Sequence, residues 1–133
     1  MTNRAPIAVF CYRRPEHLRN TLRSLMQCEG FQESPVFVFG DGPRNETERD
    51  AVQAARDTAR ELLGDRTRYR FSPVNRELSM SVIAGVDEIL RDHERVIVIE
   101  DDLVLDRWFL RFMNDALEKY ADAERVFQVS GHM

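Results

Sequence analysis

The sequence predicts a three-layer α/β/α fold, with helices on both faces of a mostly parallel sheet. Two observations carry that prediction. Short β-rich runs alternate strictly with stretches of helical periodicity, a pattern that calls for right-handed crossovers between parallel strands. Two of the runs, Val36-Phe37-Val38-Phe39 and Val96-Ile97-Val98-Ile99, are apolar at every position, as strands covered on both faces must be, and both are expected to be central in the sheet.

Each element has its own signals. Pro6 to Cys11 forms the first strand, and Arg13-Arg14-Pro15 ends it, Pro15 suiting the first turn of a helix. Leu18, Leu22, Leu25 and Met26 then follow helical spacing. The second strand, Pro35 to Phe39, runs into the turn Gly40-Asp41-Gly42-Pro43. Asn45 is expected to cap the second helix with Glu48 answering three residues later, and Val52, Ala55, Ala59, Leu62 and Leu63 mark that helix's apolar stripe. Tyr69 to Phe71 is the third strand, and Leu78, Val82, Val86, Ile89 and Leu90 give the third helix. Arg95 to Ile99 is the fourth strand. Asp106 is placed to cap a fourth helix carrying Phe109, Phe112, Met113, Ala116, Leu117 and Tyr120. Val126 to Val129 reads as a fifth strand, after which the sequence stops. The expectation is therefore a single domain, residues 1–133, truncated within a larger architecture.

Composition narrows the function. A chain of 133 residues can bury roughly two-thirds of its unfolded surface, so no disulfide framework is required. The net charge of -4 argues against nucleic acid as partner. The early apolar run from Ile7 to Tyr12 is too short to span a membrane and lacks a cleavage site, so no membrane segment and a cytoplasmic location are expected. Cys11 and Cys28 share no metal or redox spacing and read as buried thiols. His17, His93 and His132 share no ligand spacing either, and read as structural.

In an open parallel sheet the ligand crevice lies beyond the carboxyl ends of the strands, which makes the residues after each strand the candidates. These are Tyr12, Arg13 and Arg14, then Asp41, then Asn75 and Arg76, then Glu100, Asp101 and Asp102. Three adjacent carboxylates repel one another, and oxygen-only ligation favours Mg2+ or Mn2+; a surface acidic turn before a helix is the plainer reading. Arg14 and Arg76 suit a phosphate, or else a solvated surface. Asp41 suits a base N–H or a ribose hydroxyl, or else a simple turn. There is no GxGxxG and no GxxxxGK[ST], so neither a dinucleotide fingerprint nor a Walker loop is present. A receiver-type phosphoacceptor domain would need acids after the first strand, where Tyr12-Arg13-Arg14 stand.

These residues resemble the nucleotide-sugar-binding half of GT-A-type glycosyltransferases, similar to the family-2 enzymes and in particular to the N-acetylglucosaminyltransferase I family. Phe10-Cys11-Tyr12-Arg13-Arg14-Pro15 resembles the first-strand motif ending in Asn-Arg-Pro, which implies that Arg14 lies by the nucleotide while Cys11 and Tyr12 line the base pocket. Val38-Phe39-Gly40-Asp41-Gly42 resembles the segment whose Asp bonds uracil, a role the resemblance gives to Asp41. Glu100-Asp101-Asp102-Leu103 resembles the Glu-Asp-Asp-Leu form of the DxD motif, which implies Asp102 for the metal, Glu100 for the sugar and Asp101 for ribose. Asn75 to Gly85 resembles a segment Asn-x-Gly-Leu-x-x-Ser, with Glu77 in place of the Gly.

The implied activity is inverting glycosyl transfer from a nucleotide-sugar, expected to be a UDP-sugar, to a saccharide or glycoconjugate acceptor. Mn2+ or Mg2+ is the implied cofactor. The resemblance puts the general base and acceptor half beyond the fifth strand, so no catalytic residue is assigned and this chain is expected to transfer little alone. Two other classes remain open. One is a nonenzymatic interaction domain, including a homo-oligomer, that uses an exposed sheet edge; the other is a metal-dependent phosphotransferase or hydrolase.

Overall fold

A computed structural model describes residues 4–119. It is a three-layer α/β/α sandwich around a four-stranded, all-parallel sheet. The strands are β1 (Ile7–Cys11), β2 (Val36–Gly40), β3 (Arg68–Phe71) and β4 (Ile97–Glu100), and the helices are α1 (Pro15–Met26), α2 (Arg49–Leu63), α3 (Leu78–Leu90) and α4 (Phe109–Lys119). The order across the sheet is β3-β2-β1-β4. Val9 stands opposite Val38 on one side and Ile99 on the other, so β1 is paired on both edges.

Strand periodicity divides the core in two. Ile7, Val9 and Cys11 point to a face shared with residues of α1, α2 and α4, including Leu18, Leu22, Ala55 and Met113. Ala8 and Phe10 point to the other face, where Phe37, Phe39 and Val98 meet α3 through Ile89, Val82 and Val86. The handedness of the crossovers explains this distribution. Two successive steps in one direction, β1 to β2 to β3, keep α1 and α2 on the same face; the return past β1 to β4 sends α3 to the opposite one. Gly85 lets α3 seat closely there, since a Cβ would come within 2.9 Å of the Phe10 ring.

Several expectations need correction. Among the described residues β4 is the outermost strand on its side, and the segment expected as a fifth strand lies outside them. Ile97, Val98 and Ile99 are nonetheless buried, because helices cover both faces of the strand. The apolar run thus reports burial between two helix layers. Asn45 caps a short 3-10 turn, Glu46–Glu48, by accepting from the Thr47 N–H at 3.0 Å, and the Glu48 carboxylate accepts from the Arg44 N–H at 2.9 Å rather than answering Asn45. Two further 3-10 turns, Phe31–Glu33 and Gly64–Arg66, carry no periodicity that would announce them. Asp106 caps the start of the fourth helix as expected, accepting from the Trp108 N–H at 2.8 Å. The fifth strand, Val126 to Val129, lies outside the described residues, as do Tyr120 and His132. Among the described residues no helix is long and apolar enough to cross a membrane.

Candidate functional site

Because β2 and β4 leave β1 on opposite sides, the carboxyl end of β1 is a topological switch point, where an open parallel sheet leaves a crevice. A cleft of about 380 Å³ opens there. It gathers Cys11, Tyr12 and Arg14 from the end of β1, Asp41 from the end of β2, and Glu100, Asp101 and Asp102 from the end of β4. These residues span 92 positions of sequence, from Cys11 to Asp102; sheet order alone brings them together. Arg76 is placed elsewhere. It lines a neighbouring cleft of about 440 Å³ between α3 and the β3 edge, together with Arg70 and Glu88.

The β2 side of the cleft is built by hydrogen bonds. Asp41 is 7% exposed, and its Oδ1 accepts from the Gly42 N–H at 2.9 Å and the Arg76 N–H at 2.8 Å. Asn75 Nδ2 donates to the Gly42 carbonyl at 3.0 Å. At Gly42 the backbone of Val74 approaches so closely that its atoms would lie 2.5–2.7 Å from a Cβ at position 42. The turn after β2 and the connection after β3 are therefore locked together, and one oxygen of Asp41 serves that lock. Arg56 reinforces it from behind, donating from Nη2 to the Ser72 carbonyl at 2.7 Å.

The same lock holds Glu77 at φ 66° and ψ 152°, the only positive φ at a non-glycine among the described residues. That conformation is costly for any residue with a Cβ. The Glu77 N–H donates to Asn75 Oδ1 at 3.1 Å and its carbonyl accepts from the Ser81 N–H at 3.0 Å, which starts α3 at the mouth of the cleft.

On the β4 side, burial pushes the Asp101 carboxyl above its usual range; the Arg14 guanidinium opposes this, the Asp102 carboxylate adds to it, and His17 opposes it weakly. Glu100 and Asp102 are exposed. Among the described residues no three His, Cys, Asp or Glu side chains converge on one point, so protein ligation of a cation would rest on one or two carboxylates. That donor set fits Mg2+ or Mn2+, which commonly complete their shells with phosphate oxygens and water. Cys11 forms part of the floor. Its thiol is pushed up to about 12 by burial and by Asp101, against the pull of Arg56, and stays protonated.

Sequence reasoning missed part of the wall. Phe10, Phe39, Leu78 and Ser81 also line the cleft, but the first two are indistinguishable from core strand residues and the others from a helix start. Arg44 lines it too, with no signal beyond its charge. His93, expected to be structural, packs edge-on to the Phe37 ring at 6.3 Å. No protein-family model and no curated protein matches this chain.

Proposed function

We propose that the chain binds a nucleotide-sugar, a UDP-sugar in the first instance, through a divalent cation, as the donor-binding half of a GT-A-type inverting glycosyltransferase. One observation carries the reading: Arg14, Asp41 and the Glu100-Asp101-Asp102 triplet line one cleft at the switch point of a parallel sheet. A guanidinium on one wall and carboxylates on the other suit a diphosphate that binds together with a divalent cation. The backbone at Glu77 lends independent support. The residue standing where the resembled segment has a glycine is the one whose φ is positive.

In this reading Asp102 would hold the Mn2+ or Mg2+, which would supply positive charge beside a diphosphate leaving group. Arg14 takes a phosphate oxygen. The Asp41 oxygen not used in the lock is available to a base N–H, and Cys11 and Tyr12 wall the base. Asp101 and Glu100 are left for ribose and sugar hydroxyls. Arg76 belongs to the adjoining cleft and contributes at most from its edge.

Calorimetric titration of UDP and of GDP, each with and without Mn2+, tests this on the chain and on Asp102→Ala. UDP binding that needs the metal and is lost in Asp102→Ala is the expected result; no binding under any condition would sink the proposal. A second reading, an interaction domain, is favoured by the apolar outer face of α3, where Met80 is 57% and Ile83 54% exposed. Concentration-dependent self-association without nucleotide binding would support that reading instead.

A further inference from the structure

Glu48 does not line the cleft, yet it touches three residues that do. Its side chain is only 13% exposed. Its Oε1 accepts from the Arg44 N–H at 2.9 Å and from the Tyr12 hydroxyl, while Oε2 stands 3.5 Å from Arg13 Nη1. The Arg13 guanidinium in turn lies 5.7 Å from the centroid of the Tyr12 ring. One carboxylate at the threshold of α2 therefore joins the connection after β1 to the connection after β2. Tyr12 is held from behind at its hydroxyl, and Arg13 is occupied by an ion pair that leaves Arg14 as the cleft's uncommitted cation after β1.

We propose that Glu48 is a positioning residue that fixes the Tyr12 ring as a preformed wall for the planar base of a nucleotide. The inference rests on the nucleotide-binding reading above and adds to it a residue outside the cleft. The physical reason is preorganisation. An aromatic side chain already held in one rotamer loses little freedom when a base packs on it, whereas a free one must be ordered by the ligand, at a cost of roughly 3- to 10-fold in affinity. The groups facing Glu48 favour its charged form. The Tyr12 hydroxyl, the Arg44 N–H and then the Arg13 and Arg44 guanidinium groups hold its carboxyl below the usual value, so the contact is made with a carboxylate at neutral pH. Tyr12 responds in the opposite sense, its phenol raised above 10.0 by burial and by Glu48.

Two measurements on the chain and on Glu48→Ala, Glu48→Gln, Tyr12→Phe and the Tyr12→Phe/Glu48→Ala double variant test the proposal. The first is an ultraviolet tyrosinate titration without ligand, with Tyr12→Phe identifying the Tyr12 component. Loss of the Glu48 charge is expected to move that component down toward 10.0; no movement in Glu48→Ala overturns the proposal whatever the ligand does. The second is calorimetry with UDP and Mn2+. Glu48→Ala is expected to weaken binding roughly 3- to 10-fold, with Glu48→Gln recovering most of the loss because its amide oxygen still accepts from the phenol. In the Tyr12→Phe background Glu48→Ala is expected to cost nothing further. An equal loss in both backgrounds overturns the positioning role, since the effect then bypasses Tyr12. If the unaltered chain binds no UDP while the tyrosine component still shifts, it is the nucleotide reading that has failed, taking the role assigned to Glu48 with it.

Discussion

Glu77 shows how one residue can carry both a stability cost and a functional geometry. Its backbone is held at φ 66° by the hydrogen bonds that Asp41 and Asn75 make with the neighbouring chain, and a glycine would adopt the same conformation without the Cβ penalty. Glu77→Gly is therefore expected to stabilise the fold by about 1 kcal/mol, read from the midpoint of urea unfolding at unchanged slope. Destabilisation would mean that the side chain makes a compensating contact. Cys11 makes a second residue-scale prediction. Its thiol is raised from 9.0 to about 12 in the folded chain, so the folded state binds more protons than the unfolded one across that window. The stabilisation is complete below pH 9 and is lost as pH rises toward 12. In the same terms Cys11 and the likewise raised Cys28 are expected to resist alkylation at pH 8 until the chain unfolds, which a labelling time course with and without urea would show.

At the scale of elements, the helices begin where side chains or connections supply their first hydrogen bonds. α1 begins without a side-chain cap, and Pro15 at its first turn removes one N–H that would otherwise need a partner. The fourth helix depends on Asp106, which accepts from the Trp108 N–H through its side chain and from the Phe109 N–H through its carbonyl. Asp106→Ala is expected to cost about 1 kcal/mol, with α4 fraying first in hydrogen exchange. An unchanged unfolding midpoint would show that the packing of Phe109, Leu110 and Met113 holds that end without the cap. The second helix shows where element-level reasoning fell short. Asn45 and Glu48 stand at capping-box spacing, but the tertiary partner Tyr12 and the Arg44 N–H engage the Glu48 carboxylate instead.

For the whole molecule, the sheet order concentrates stability at the centre. β1 is paired on both edges and apolar on both faces, whereas among the described residues β3 is an edge strand, with Arg68 and Arg70 exposed. Native-state hydrogen exchange is expected to find the slowest amides in β1 and β2 and faster ones in β3. Equal protection across the four strands would contradict this ordering. The cleft stands over the strand paired on both edges, and one of its walls is built from connections locked to each other through Asp41, Asn75 and Gly42.

The sequence by itself determined the alternation of strands and helices, the buried stripe of α2 and most of that of α1, the Asp106 cap and most of the residues that face the cleft; in α4 it placed Phe109, Met113 and Leu117 inside but also Phe112, which is 63% exposed, and passed over the fully buried Leu110. These follow from local periodicity and from the rule that chemistry gathers at the carboxyl ends of parallel strands. Tertiary structure alone decided the rest. It set the order β3-β2-β1-β4 of the described strands, turned Arg76 into the adjoining cleft, used half of Asp41 to lock two connections and brought Glu48 behind Tyr12. The physical reason is common to all four. Strand order, side-chain partners and the close approach of Val74 to Gly42 depend on segments far apart in the chain, and no local pattern of polarity encodes which of them will meet.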